Sequence, residues 1–338
     1  MFSGRALDAG IFKPIFFLGL ALQIIGIFTT SIVPLKFWHI ILSQGISQGI
    51  GNGLQFCPTV ALLSTYFSRH RSIAIGIAAS GSSLGGLVYP SIVRSLLPRL
   101  GFAWTVRVCG FVMLAVGLIA GLGLRTRRDL PPRKTGPLLE LRAFREPTYA
   151  LFCAGMFLVF FGLFFAFYYV ASFATGVVGL PTEKAFALLM VMNAAGFVFR
   201  LLPGLLADRL TGPLNLMLPF AFATAMLTYS WSAVKSPLGT WIWAIFYGLI
   251  AAGVQGLFPA VLSSLTTDLT KQGVRMGMGF AIVGVAGATG PPVAGAIIQA
   301  CGGRYIGAQM WAGTSILLGV CFLLAARTVK VGWQLKRI

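Results

Sequence analysis

The sequence predicts an all-α, polytopic membrane protein: a bundle of about ten transmembrane helices, four before a central linker and six after it. Three observations carry that expectation. Apolar residues fill 57% of the 338 positions, charged residues only 10%, and mean hydropathy is +0.88. The apolar residues fall in runs of ~20, each able to cross a hydrocarbon core ~30 Å thick. Finally, the charged turn Arg200-Leu-Leu-Pro203-Gly204-Leu-Leu-Ala-Asp208-Arg209-Leu-Thr-Gly212-Pro213 has a weaker copy about 200 positions earlier, Gly4-Arg5-Ala-Leu-Asp8-Ala-Gly10. A repeat of that length is too large for a solenoid unit and points to two related halves.

In chain order the spans run over roughly 11–33, 38–66, 73–96, 102–124, 149–178, 184–206, 213–234, 239–266, 275–299 and 306–327. Helix is the form expected, because an open strand cannot satisfy its backbone in lipid and these runs lack strict alternation. Several spans exceed the membrane thickness, so tilt or extension beyond the bilayer is expected. Pro58 in the second span finds Pro259 in the eighth, and Gly76 and Gly81 in the third find Gly279 and Gly284 in the ninth. These echoes repeat the offset of the charged turns. Pro58, Pro259 and Pro291-Pro292 are expected to kink their helices. Arg107, near the outer start of its span, is expected to snorkel or to cap a neighbouring helix.

Three segments follow from this: an incomplete N-terminal bundle over 1–124, a linker over 125–147 and a six-helix bundle over 148–338. The linker, with Pro131-Pro132 breaking any continuous helix, is read as a tether with some attraction to anionic lipid. Lysines and arginines set the orientation. Of the 26, 19 fall on the linker side of the spans, six on the other side, and Arg107 lies inside a span. The rich side is cytoplasmic, so both termini are too. The plasma membrane is the expected location.

The net charge of +19 does not mark a nucleic-acid binder. The basic residues are scattered over short loops, and the aromatics sit inside apolar runs where no base can stack. Cys57, Cys109, Cys153, Cys301 and Cys321 lie in or beside apolar runs without zinc-ligand spacing and read as small packing residues. The chain has no His cluster, no paired intramembrane carboxylates, no G-x-S-x-G and no CxxC, so no enzyme, metal site or cofactor is expected. The first apolar run is too long for the core of a cleaved leader and lacks a small-residue cleavage site.

A long central cytoplasmic loop and a G-x-x-x-D-R turn, within spans that complete to two six-span halves, resemble the major facilitator superfamily. Longer stretches sharpen the resemblance to its fungal monocarboxylate-transporter-like group: Ala6-Leu-Asp8-Ala-Gly10-Ile-Phe12-Lys-Pro14, Ile41-Leu-Ser-Gln44-Gly-Ile-Ser-Gln48-Gly-Ile-Gly-Asn52-Gly-Leu-Gln55-Phe, Tyr66-Phe-Ser-Arg69-His-Arg71-Ser-Ile-Ala-Ile-Gly-Ile-Ala-Ala-Ser80-Gly-Ser-Ser-Leu-Gly-Gly, and Gly101-Phe-Ala-Trp104-Thr-Val-Arg107. The resemblance covers essentially the whole chain. It implies a secondary transporter of a small organic solute, an organic acid or a fungal secondary metabolite, working by alternating access in uptake or efflux. It also implies that this chain corresponds to such a protein from the loop between its second and third helices onward. The alternative expectation is a transport-inactive remnant or an incomplete gene model. Helices over 38–66, 149–178 and 239–266 are those the resemblance assigns to the cavity.

Candidate residues follow. Gln44, Gln48, Asn52 and Gln55 share one helical face, which either lines the cavity or joins a neighbouring helix across Gly45, Gly49 and Gly53. Arg200 lies roughly 9 Å inside its span. It is either a snorkelling residue or a fixed cation for an anionic solute. The resemblance places the family's carboxylate-binding arginine on it, and Asn193 shares its face. Animal members carry an aspartate where this chain has Gly196, and a lysine on the first helix that it lacks. Tyr168 is either a solute-binding hydroxyl or an interfacial anchor, as are Tyr169, Ser172 and Thr175. Asp8 and Asp208 are expected to form conformational latches by bonding helix N-termini, with Arg209 as a basic partner in the second. The expected partners are a small-molecule solute and membrane lipid. A proton stands as a candidate coupling ion only, because no intramembrane carboxylate remains to carry it.

Overall fold

The computed structural model describes residues 2–33, 36–67, 70–125, 139–266, 268 and 271–332. Among the described residues the structure is helical throughout, without strands. The helices are α1 (Phe2–Asp8), α2 (Phe12–Ile32), α3 (Phe37–Ile40), α4 (Gln48–Tyr66), α5 (Arg71–Gly123), α6 (Pro147–Gly176), α7 (Thr182–Leu206), α8 (Pro213–Ser230), α9 (Pro237–Leu265), α10 (Gln272–Ala300) and α11 (Ile306–Val331). A π-helical segment, Ile41–Ser47, joins α3 to α4 so that the three cover one expected span. α5 covers two expected spans in one 53-residue assignment, interrupted at Gly101, where φ is 72° and ψ is 176°. Only a residue without Cβ adopts that geometry easily, so glycine is the residue that can turn the chain there. Seven described helices are long and apolar enough to cross a membrane, α5 with its two spans counting as one. The Pro131-Pro132 break lies outside the described residues.

Two compact units form. The first contains Met1–Tyr66, Leu87–Glu140 and Asp268–Gly277, and the second Phe67–Gly86, Leu141–Thr267 and Met278–Ile338. Two helices are therefore divided. The opening third of α5 packs within the second unit, and the first turn of α10 packs within the first.

In the first unit α2 lies against α4 at backbone distance. A Cβ at Gly51 would stand 2.6 Å from Gln23 Cγ and 2.7 Å from the Gly19 carbonyl. Gly26 meets the π segment in the same way at the Ser43 carbonyl, 2.5 Å away. Gly45, Gly49 and Gly53 do not make this close approach: nothing lies within 4 Å of a Cβ placed at Gly49 or Gly53. The contact instead runs through Gly51, because that residue is on the α2-facing side of the helix. The later half of α5 packs on the same α2, with Gly121 against the rings of Phe16 and Phe17.

In the second unit the core is aromatic. Trp231 stacks on Trp243 at 4.5 Å, and Trp243 on Tyr247 at 4.9 Å. Two of the three polar atoms find carbonyls, Tyr247 Oη donating to Leu163 and Trp243 Nε1 to Leu227, both at 2.7 Å, while Trp231 Nε1 is buried without a partner. Such bonds are needed for polar groups held away from water. α9 is the central helix of this unit, with 72% of its most apolar stretch buried against 17% for α5. Helix continues through Pro58, Pro259 and Pro291-Pro292.

Gly51→Val is expected to destabilise the first unit by about 1–3 kcal/mol through overpacking, whereas Gly49→Ala leaves the thermal unfolding midpoint in detergent unchanged or slightly raised. Equal midpoints for the two variants would show that the α2–α4 contact does not depend on Gly51.

Candidate functional site

The first turn of a helix carries backbone N–H groups with no partner in the helix and the positive end of its dipole. Two aspartates answer this need in matching ways. Asp208 accepts from the amides of Ser72 (3.1 Å) and Ile73 (2.9 Å), the second and third residues of α5. Asp8 accepts from the amides of Gly273 and Val274, both at 3.1 Å, the second and third residues of α10. The approach in each case requires a glycine on the aspartate's own segment. A Cβ at Gly204 would meet the Ser72 carbonyl at 2.7 Å, and one at Gly4 would collide with the Gly273 carbonyl. After each aspartate the chain turns at a glycine with positive φ, Gly10 at 81° and Gly212 at 84°. The repeat seen in the sequence is thus a repeat of one contact, a carboxylate on a helix N-terminus. Arg209 is exposed, and the cation in electrostatic reach of Asp208 is Arg71, at the start of the capped helix itself.

A third carboxylate joins the α10 end. Glu140, at the close of the linker, accepts from Lys271 Nζ at 2.6 Å and from Arg275 Nε at 3.1 Å. Burial alone pushes the Glu140 carboxyl up, but the hydrogen bonds and charges of Arg275 and Lys271 outweigh it and hold the group below the usual carboxylate range. Sequence reasoning missed this residue. The available signal was a lone acid at the end of a basic linker, together with two cations four residues apart on one helical face.

Arg200 is 8% exposed, within α7. Its Nη1 donates to the Ala79 carbonyl on α5 and its Nη2 to Gln255 Oε1 on α9, both at 2.7 Å. Nε is buried without a partner. Glycines make room for this junction: a Cβ at Gly76 would lie 2.6 Å from the Arg200 carbonyl, and one at Gly256 3.3 Å from it. One turn along α5 from Ala79, Ser83 is fully buried and its hydroxyl is also without a partner. It faces Gly196, where a Cβ would stand 3.6 Å from Ser83 Oγ. A further turn on, Asn193 lies over Gly86 and donates to its own helix at Leu189, 2.9 Å away. Arg200, Ser83 and Asn193 therefore form one polar seam along α5 and α7. Gln255 was not anticipated, although an amide inside an apolar span is itself a signal.

The other candidates are placed elsewhere. Gln48, Asn52 and Gln55 face α2: Gln23 donates to Asn52 at 2.6 Å, Gln55 to the Phe16 carbonyl at 3.3 Å, and Gln48 lies beside Gly26. This is a polar seam in the first unit, separate from that of Arg200. Tyr168 is 67% exposed on α6, whereas Tyr169 beside it donates to the Pro291 carbonyl at 3.1 Å. Arg107 donates to Ser31 on α2 at 3.2 Å and stacks over Trp104. Among the described residues no three metal-ligating side chains cluster.

Membrane-length helices, a carboxylate cap used twice on helix N-termini and a buried guanidinium in a polar seam fit the class of integral membrane transporters built from repeats. The chain belongs to the Major Facilitator Superfamily, whose family model matches residues 1–273. It is 42% identical over 328 residues to an MFS-type transporter of Gibberella zeae, spanning 96% of this chain and 74% of that protein. It is 33% identical over 309 residues to the aspyridones efflux protein of Emericella nidulans, covering 91% of this chain and 62% of the relative. Among solved structures, the human organic anion transporter MFSD10 matches with a TM-score of 0.77 at 17% identity, over 95% of this chain and 79% of that one. At that identity the likeness concerns the fold alone.

Asp208→Ala is expected to lower stability by about 1–2 kcal/mol through loss of the α5 cap, with Asp208→Asn recovering part of it. Thermal unfolding in detergent reads this directly, and unchanged midpoints would remove the cap from the account. For Glu140 the sign follows from its depressed pKa. Its stabilisation is complete above the ordinary carboxylate value and is lost as pH falls through the lower folded value. Glu140→Gln should flatten that acid-side decline in unfolding midpoint between about pH 5 and pH 3.

Proposed function

We propose that this chain moves a small organic solute, an organic acid or a fungal secondary metabolite, across the plasma membrane by alternating access, with both termini cytoplasmic. Efflux is the direction favoured by the relatives, one of which is named an efflux protein. The observation that carries the reading is Arg200. A guanidinium held almost out of solvent between two neutral oxygens, with one N–H unpartnered, keeps its charge uncompensated. Burying such a group is costly, and an anionic solute recovers that cost by offering a carboxylate to a planar fork of donors.

In this reading Arg200 anchors the anionic group and Asn193, on the same seam, orients it. Gln48, Asn52 and Tyr168 supply further polar contacts as the cavity opens. The caps at Asp8 and Asp208 act as latches that hold one end closed in one state and release it in the other, with Arg209 taking part after release. A proton remains the candidate coupling ion. With no carboxylate inside the spans, its carrier is a group on the solute rather than on the chain.

The test compares anionic and neutral solutes in proteoliposomes. A hydrogen bond to a charged group contributes about 1.5–3 kcal/mol, so Arg200→Ala should slow transport of carboxylate solutes roughly 10–100-fold and leave neutral analogues of the same size much less affected. Equal loss for both classes would count against the anchor.

A further inference from the structure

The partners of Arg200 have a significance beyond solute binding. Nη1 is engaged by the Ala79 carbonyl, and this bond ties α7 to the stretch of α5 beyond its first turn. Gln255 on α9 holds Nη2 with a neutral oxygen. The two oxygens together orient the guanidinium without neutralising it. Nearby hydroxyls on α5 behave differently from Ser83: Ser80 and Ser82 donate to the carbonyls of Ile77 and Ala79 in their own helix, while Ser83 Oγ donates to nothing and is fully buried. Two unpartnered donors, Arg200 Nε and Ser83 Oγ, thus belong to one seam, and the junction is closed around them. A Cβ at Gly196 would stand 3.0 Å from the Ala252 side chain and 3.3 Å from the Gly248 carbonyl, so the helices leave little room beside Ser83 while they stay together.

We propose that Arg200 is a solute-released clasp: an anionic group displaces the Ala79 carbonyl from the guanidinium, gains Arg200 Nε and the Ser83 hydroxyl as additional donors, and thereby frees α5 from α7, while Gln255 keeps the guanidinium aimed without neutralising it. The proposal rests on the reading of Arg200 as the anion anchor and adds to it a coupling between binding and helix separation. A carboxylate competes with a carbonyl for the same guanidinium because it opposes the cation with a full charge and a matching two-oxygen fork, where the carbonyl offers a single dipole. A ligand shifts a conformational balance only by its different affinity for the two states, and here the difference is the contact that the ligand replaces. Gln255 is a positioning and specificity residue in this scheme. A carboxylate in its place would satisfy Arg200 internally and remove the advantage of an anion.

The experiment uses the full chain in nanodiscs, with benzoate and benzamide as a charged and a neutral probe of equal size, and hydrogen–deuterium exchange over residues 74–86 of α5 as the readout. Benzoate should bind at least tenfold more tightly than benzamide and should speed exchange in 74–86, and Gln255→Glu should weaken benzoate at least tenfold and abolish the response. Arg200→Gln, without any probe, should speed exchange in the same segment, while the Asp208 cap keeps residues 72 and 73 protected. If benzoate binds preferentially but exchange over 74–86 stays unchanged, the clasp is refuted and the anion anchor stands. Equal or undetectable binding of both probes overturns the anchor, and the clasp with it. Unchanged exchange in Arg200→Gln refutes the clasp whatever the probes do.

Discussion

A hydrocarbon surrounding leaves the backbone no water to bond, so every amide and carbonyl in the spans must find its partner inside the protein. The rest of the structure follows from that constraint. It makes the elements helical, and it turns most hydroxyls inward to carbonyls three or four residues back in their own helix, as at Thr105, Thr224 and Thr228. It also concentrates unsatisfied donors at helix starts, where Asp8 and Asp208 meet them. With polar groups so thoroughly accounted for, the few buried atoms that lack a partner carry information. Arg200 Nε and Ser83 Oγ are two of these.

The division of labour between the two polar seams is a matter of partners. In the first unit Gln23, Asn52 and Gln55 bond one another or a carbonyl, and the glycines between them bring α2 and α4 to backbone contact. Such a seam fixes two helices together. In the second unit the seam leaves a cation and a hydroxyl incompletely used, and glycines at 76, 196 and 256 keep side chains out of its way. The same residue types are therefore fully paired in one place and left partly unpaired in the other.

Much of this was legible in the sequence, for definite reasons. The spans were visible because lipid demands long apolar runs, and the aspartates because a Gly and an Asp recur at one offset in turns of similar composition. The gap between the spans at 73–96 and 102–124 contains Gly101, where α5 is interrupted. What stayed hidden was pairing across helices. Nothing local to Gln255 says that it meets Arg200, and nothing local to Glu140 says that it meets Lys271 and Arg275, more than 100 residues later. The face of Gln48, Asn52 and Gln55 was readable, but which neighbour it meets is decided by the glycine that allows contact, and that glycine is Gly51 rather than the more regular series at 45, 49 and 53.

α5 belongs to both units, its residues up to Gly86 with one and those from Leu87 onward with the other. A polypeptide severed in the linker would not yield two self-sufficient pieces. The upstream fragment would present an orphaned rod lacking its mate, and the downstream fragment would lack the strut that Asp208 and Arg200 normally grip. Split-protein complementation should consequently succeed only when both fragments insert into one bilayer together, making the shared helix an obligate seam of assembly.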